Sequence, residues 1–426
     1  MKSDSAPRSR RALAIVLDSV GCGYAPDAEA YGDAGADTLG HLYRRIPGFS
    51  LPNLERLGLS QVLATQEKKA ATSARPRILH SQPPHAKSPP ERGRGDHPRS
   101  QWAILTEASA GKDTTTGHWE LAGAVIDKPF ATFERFPEHL VADLSREGLV
   151  AAFLGNEPAS GTEIIQRLGA EHYVTGHPIL YTSADSVMQI AAHEDPGVFG
   201  LSRLHDLCRT ARNLLDTSGI RIARVIARPF TGTPEKGFTR TANRRDFSLI
   251  PPPTVFDDLG AAGVAVHGIG KIHDIFAGRG IAHSHPTHSN AEGMATIEKL
   301  WTETAASERP CLLFANLVDF DMLYGHRRDP EGYAQCLREF DTWLGSFLPR
   351  IAPPGDLLLL TADHGNDPYH PGTDHTREQV PLLAINSPAP LRSGTNFTEV
   401  ATLLKAQLIP RDHGSQRALG TGQPQL

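Results

Sequence analysis

A chain of 426 residues, 39% hydrophobic and 21% charged, has the composition of a globular protein long enough for two packed cores. Its net charge of −5 argues against a general affinity for nucleic acid or anionic membrane, and no run approaches the roughly 18 apolar residues needed to span a bilayer. Four cysteines (Cys22, Cys208, Cys311 and Cys336) show no C-x-x-C spacing and suit a reducing compartment, so a cytoplasmic location is expected.

At the N-terminus, basic residues precede the apolar run A-L-A-I-V-L (12–17), which stops at Asp18. It is too short for the apolar segment of a signal peptide and reads as a buried strand. Residues 68–100 are rich in Pro, Arg, His and Ser and nearly devoid of large apolar side chains. They cannot bury enough surface to offset the entropy of ordering, and a disordered, solvated insertion is expected rather than a nucleic-acid arm. The string A-S-A-G-K-D-T-T-T-G-H-W-E (108–120) follows. Its glycine permits close approach to a phosphate, Lys112 offers a cation, and one of three threonines is a candidate nucleophile. The upstream glycine of a nucleotide-binding P-loop is missing.

The middle third has a different texture, and an inserted domain over 128–251 is expected, ending at the proline run 251–253. It carries Asp185, Arg228, Arg240 and Arg244; arginine forks suit phosphate oxygens and a carboxylate suits sugar hydroxyls, with a solvated basic face as the other reading. Core segments are then expected over 1–127 and 252–426. Further candidate strands lie at 264–268, 311–318, 356–361 and 380–385, with helices at 291–307 and 331–348. In the second helix Tyr333, Leu337, Phe340, Leu344 and Phe347 form an amphipathic stripe that reads as core packing. Such alternation indicates an α/β fold with a mainly parallel sheet, which places ligands outside the carboxyl ends of its strands. G-I-G-K (268–271) puts Lys271 at one such end, without the spacing of a dinucleotide fingerprint. The tail beyond about 410 carries no pattern and is expected to be disordered.

Two blocks, V-D-F-D-M-L-Y-G-H (318–326) and T-A-D-H-G-N-D…G-T-D-H-T (361–376), hold Asp321, His326, Asp363, His364 and His375, each after an apolar run. With Asp18 they supply the carboxylates and imidazoles that a hard-to-borderline divalent cation requires.

The blocks A-L-A-I-V-L-D-S-V-G-C-G, G-K-D-T-T-T-G-H-W-E, P-A-S-G-T-E-I-I, Y-T-S-A-D-S-V, R-V-I-A-R-P-F, G-K-I-H-D-I-F, L-V-D-F-D-M-L-Y-G-H and T-A-D-H-G-N-D-P resemble the prokaryotic phosphopentomutase family of the alkaline phosphatase superfamily. The resemblance runs from about residue 11 to 390, interrupted at 62–100, and leaves the sheet edge near 61–106 in doubt. It implies an alkaline-phosphatase-like α/β core holding two manganese ions, other divalent cations being alternatives, beneath an inserted α/β cap. It also implies interconversion of ribose or deoxyribose 1-phosphate and 5-phosphate, with a sugar bisphosphate as activator. By position, Asp321, His326 and His375 would hold one ion and Asp18, Asp363 and His364 the other. The family register selects Thr114 as the phosphorylated threonine, and Asp185, Arg228, Arg240, Arg244 and Lys271 would surround the substrate. A pentose phosphate is the expected partner, with no nucleic acid, membrane or protein partner inferred. A phosphohydrolase or phosphoglycerate mutase of the same superfamily, or an inactive metal-binding interaction protein, are the alternatives.

Overall fold

The computed structural model describes residues 10–73, 95–182, 186–353 and 355–409. The apolar runs form the strands β1 (Arg11–Leu17), β2 (Ser100–Leu105), β9 (Ala265–Ile269), β10 (His283–His285), β11 (Cys311–Leu317), β12 (Asp356–Thr361) and β13 (Val380–Ile385). They assemble in the order β10-β9-β11-β1-β12-β13-β2. From β10 to β12 every pairing is parallel, while β13 runs antiparallel to both β12 and β2. Every residue of β1, β11 and β12 is buried, as continuous Leu/Ile/Val/Ala runs demand of strands covered on both faces. Because β1, β11 and β12 are parallel neighbours, their carboxyl ends, and so Asp18, Asp321 and Asp363, leave one edge of the sheet together.

The buried stripe Tyr333, Leu337, Phe340, Leu344 and Phe347 lies on the helix Pro330–Phe347, which begins at an Asp329 cap and a proline in its first turn. The helix Asn290–Glu303 ends four residues short of the expected 307, in a short 3-10 turn over Thr304–Ala306. At the far end of β1 the Arg11 guanidinium pairs with both Asp356 carboxylate oxygens at 2.9 Å and lies 4.0 Å from the Trp301 ring centroid.

A second sheet gathers β3 (Leu154–Pro158), β4 (Ile179–Thr182), β5 (Val187–His193), β6 (Arg224–Thr233) and β7 (Gly237–Arg240), with β8 (Arg245–Ser248) also on β6. It packs its own apolar clusters, one around Phe136, Leu144, Leu204 and Val225, another around Ile164, Tyr181 and Phe230. The expectation of a disordered insertion over 68–100 needs correction at both ends. Residues 68–73 continue the helix Ser60–Ser73, and Ser100 opens β2, which pairs with β13 along its length. Residues 74–94 and the tail from 410 lie outside the described residues.

Candidate active site

Each acidic side chain at the sheet edge is held by a neighbouring strand or the turn that follows it. Asp18 Oδ2 accepts from Asn316 Nδ2 at 3.0 Å, and Asp363 Oδ1 accepts from the Ser19 backbone N–H at 3.1 Å. Ser19 adopts a left-handed backbone (φ 70), and its hydroxyl lies 3.0 Å from the Tyr333 hydroxyl. Asp321 sits in the turn after β11, where Oδ1 accepts from Asn366 Nδ2 at 2.7 Å.

Two buried groups have their ligand atoms mutually within 4.8 Å: Asp18, Asp363 and His364, and Asp321, His364 and His375. The first is the set expected for one ion. In the second, His326 stands alongside, with Nε2 3.1 Å from Asp321 Oδ2 and 3.2 Å from His375 Nε2. The ring orientations suit cation binding. His326 Nδ1 lies 2.7 Å from the Thr373 carbonyl and His364 Nδ1 3.1 Å from the Gly365 carbonyl. A carbonyl only accepts, so each Nδ1 carries the proton and each Nε2 turns its lone pair into the site.

The electrostatics ask for positive charge. Burial, with repulsion from Asp363 and Asp321, pushes Asp18 up to about 8. Among the described residues, the buried Asp18 Oδ1 accepts no hydrogen bond, and Asp363 Oδ2 has beside it only His118 Nδ1, at 3.0 Å and shared with the Thr114 carbonyl. Burial works against ionisation of Asp321 and Asp363 too, but nearby histidines (His375 and His326 for Asp321, His364 and His118 for Asp363) hold both low. Burial lowers His364. Two acceptor-rich, partly unsatisfied carboxylate–imidazole sets fit divalent cations by donor chemistry and by unmet demand.

Thr114 is the first residue of the helix Thr114–Leu121, and its Oγ1 lies 3.1 Å from His364 Nε2. The three threonines are separated by their roles. Thr116 is fully buried and spends its hydroxyl on the capping Asp113 carboxylate at 2.5 Å. The helix abuts the Asp363 turn at Gly117, where a Cβ would lie 2.1 Å from the Asp363 carbonyl oxygen. Lys112, read from sequence as a cation for phosphate, is instead engaged by Asp33 at 3.0 Å and Asp374 at 3.2 Å.

Several residues at the site carried no signal strong enough to be singled out. His118 is buried beneath Thr114, with Nδ1 2.9 Å from the Thr114 carbonyl and 3.0 Å from Asp363 Oδ2. Arg377, with a 2% exposed side chain, pairs with Glu107 and Asp27 and donates to the Gly111 carbonyl. Glu378 accepts from Thr38 Oγ1 and Thr376 Oγ1 at 2.7 Å each and from the Thr38 N–H at 2.9 Å. His118 was visible inside the threonine block, but its partner Asp363 is 245 positions away.

The expected substrate residues divide. Asp185 lies outside the described residues. Arg228, on β6, donates from Nε to Gln189 Oε1 at 2.8 Å; burial raises the nearby Tyr181 phenol, with Arg228, Arg240 and Arg244 opposing the rise. Arg244 is already paired with Asp246 through 2.7 and 2.6 Å contacts. Arg240 Nη1 lies 3.4 Å from where a Gly161 Cβ would stand, at the start of the helix Gly161–Thr175. Lys271, exposed after β9, lies within electrostatic reach of Asp18, and Arg244 within reach of Asp274, three residues beyond Lys271.

The family model for the metalloenzyme superfamily matches residues 10–409. The phosphopentomutase of Symbiobacterium thermophilum is 50% identical over 380 residues, covering 89% of this chain and 88% of that protein. The phosphopentomutase of Caldanaerobacter subterraneus subsp. tengcongensis is 47% identical over 391 residues, covering 91% and 90%. Among solved structures, the PH0037 protein from Pyrococcus horikoshii matches with a TM-score of 0.46 and 13% identity, over 94% of this chain and 98% of that one.

Proposed function

Because this chain belongs to the phosphopentomutase family of the metalloenzyme superfamily, we propose that it moves a phosphoryl group between the 1- and 5-positions of ribose or deoxyribose phosphate by way of Thr114. The chain is an isomerase, an intramolecular phosphotransferase that uses divalent metal. The observation that carries the reading is Thr114 Oγ1 at a helix start, 3.1 Å from His364 Nε2, whose ring also lies against the buried Asp18 and Asp363 carboxylates at 3.4 and 3.3 Å.

In this reading Asp18, Asp363 and His364 hold one ion and Asp321, His326 and His375 the other, with manganese the metal. Bound divalent cations supply charge neutralisation for phosphoryl oxygens and acidify a coordinated hydroxyl. Phosphoryl transfer is mainly positioning, so the protein's task is to fix its groups in line. The phosphate on Thr114 would pass to the 5-hydroxyl of a bound pentose 1-phosphate: the bond to Thr114 Oγ1 breaks, the bond to the 5-oxygen forms, and the proton given up by the 5-hydroxyl ends on Thr114 Oγ1. The bisphosphate turns, and its 1-phosphate returns to Thr114. A sugar bisphosphate would load the enzyme initially. The start of the helix Thr114–Leu121, where Thr114 stands, favours the added negative charge.

The unit over 128–251 acts as a cap in this scheme, with Arg228, Arg240, Arg244 and Asp185 toward the sugar phosphate, and Lys271 from the core. It would exclude water, which otherwise turns the same site into a phosphatase. Among the described residues no helix is long and apolar enough to cross a membrane. The four buried free cysteines support a reducing, cytoplasmic setting. No nucleic acid or protein partner is proposed. Enzyme pre-incubated with a sugar bisphosphate should carry phosphothreonine at Thr114 by peptide mass spectrometry, and Thr114→Ala should lose mutase turnover. Phosphate on Thr116, or a Thr114→Ala enzyme that still interconverts pentose phosphates, would overturn the assignment. A variant that only hydrolyses would favour phosphohydrolase chemistry.

A further inference from the structure

Three histidines meet at the opposite edge of the main sheet from β2. In the parallel register of β10 on β9, His283 stands directly across from His267, and His285 lies two residues further along the same face. The His267 and His283 ring centroids are 4.5 Å apart, and the His267 and His285 rings are stacked at 5.4 Å. His267 Nδ1 and His285 Nε2 approach to 3.2 Å. Two imidazole nitrogens bound to one tetrahedral zinc at about 2.0–2.1 Å would be roughly 3.3 Å apart, so this separation already suits a shared cation.

We infer that His267, His283 and His285 form a third, peripheral cation site that takes one nitrogen-preferring divalent ion, of the zinc, nickel or copper class, and staples β10 onto β9. The chemistry separates it from the central groups. All-imidazole ligation disfavours manganese and magnesium, which prefer carboxylate oxygens, and follows the rise in affinity toward nickel, copper and zinc. Strands β9 and β11 intervene between β10 and β1, which puts the histidine edge about 14 Å from the strand that ends at Asp18. As the rings stand, only His267 and His285 bring nitrogens together, and the three do not all offer a nitrogen within 4.8 Å of one another, so His283 completes the set by rotating its ring about a torsion that is broad for imidazoles. The charged groups within electrostatic reach of His285 are Lys299 and Glu303, on the helix Asn290–Glu303.

The site has a structural consequence. β10 is only three residues long, and the Gly270 N–H donates to the His285 carbonyl at 3.0 Å, immediately before Lys271. A bound ion would tie this short edge strand to the strand that presents Lys271.

The test uses full-length enzyme kept in excess Mn2+, titrated with Ni2+ by equilibrium dialysis with both metals quantified. The His283→Ala/His285→Ala double variant should bind one Ni2+ equivalent fewer than wild type, with Mn2+ content and turnover unchanged. The Ni2+-induced rise in Tm, about 3 °C in wild type, should vanish with that equivalent. Equal Ni2+ uptake in the two proteins would reduce the cluster to an imidazole–imidazole hydrogen bond and overturn the proposal. Should the double variant fold poorly, His283→Gln, at an exposed position, provides the second arm. Its half-saturating Ni2+ concentration should rise at least about tenfold, and an unmoved midpoint would equally overturn the site.

Discussion

Arg377 offers the sharpest test of how the Thr114 loop is held. Its guanidinium pairs with the buried Glu107 carboxylate at 2.5 Å, donates to the Glu107 carbonyl at 2.9 Å and to the Gly111 carbonyl, and reaches Asp27 at 2.9 Å. Its own backbone N–H donates to Asp33 Oδ2 at 2.8 Å, and Asp33 in turn holds Lys112. One side chain two residues from His375 therefore clamps both ends of the segment 107–111 leading to Thr114. Burial pushes Glu107 up, and Arg377 is the main opposing influence. Removing the guanidinium would strand a 2% exposed carboxylate, and breaking a buried pair costs about 3–5 kcal/mol. The exposed Asp27 contact adds little. Arg377→Met should thus lower unfolding free energy by about 3–5 kcal/mol in urea denaturation. Arg377→Lys keeps the charge but cannot serve two carboxylates and two carbonyls at once. A displacement of Thr114 by about 1 Å would cost roughly 10²-fold in turnover. The lysine variant should therefore fold, retain its metal, and show kcat for ribose 5-phosphate lowered about 10²-fold with a smaller change in KM. Wild-type kcat in a folded Arg377→Lys enzyme would refute the clamp.

Asp321→Ala or His364→Ala should lose one metal equivalent and at least about two decades of turnover; elemental analysis showing two full equivalents in either variant would remove these residues from the metal set. Gly117→Ala would drive a Cβ to 2.1 Å from the Asp363 carbonyl oxygen, so it should separate the Thr114 helix from the Asp363 turn and reduce kcat while leaving the protein folded. Retention of full turnover would show that the two elements tolerate a wider gap. Replacing residues 74–94, a stretch poor in large apolar side chains, with a short Gly/Ser linker should leave Tm and turnover nearly unchanged; loss of activity in this deletion would assign the segment a role.

What was legible in the sequence follows from which interactions are local. An apolar run such as C-L-L-F-A-N-L-V announces a buried strand, and the observed β11 ends one residue before the expected boundary. The Tyr333–Phe347 stripe reads directly as a buried helix face because its period is set within the helix itself. Direction is not encoded in this way, so nothing in V-P-L-L-A-I announces that β13 reverses relative to β12. β2 was harder still: the six residues S-Q-W-A-I-L follow a polar insertion, and only pairing with β13 makes them an edge strand. The metal-type ligands were legible because their chemistry is restricted to few residue types and they sit at strand ends. The residues that support them were not. Lys112 looks like a phosphate cation until the fold brings Asp33 and Asp374 against it. His267 looks like an ordinary strand residue until the β9–β10 register sets it opposite His283. In each case the composition of a segment indicates what a side chain is capable of, while the partner that decides its role arrives from a distant strand. That division explains why the segment around His118, next to the threonines, does not announce its role. Its function rests on Asp363, which only the adjacency of the Thr114 helix to the β12 turn supplies.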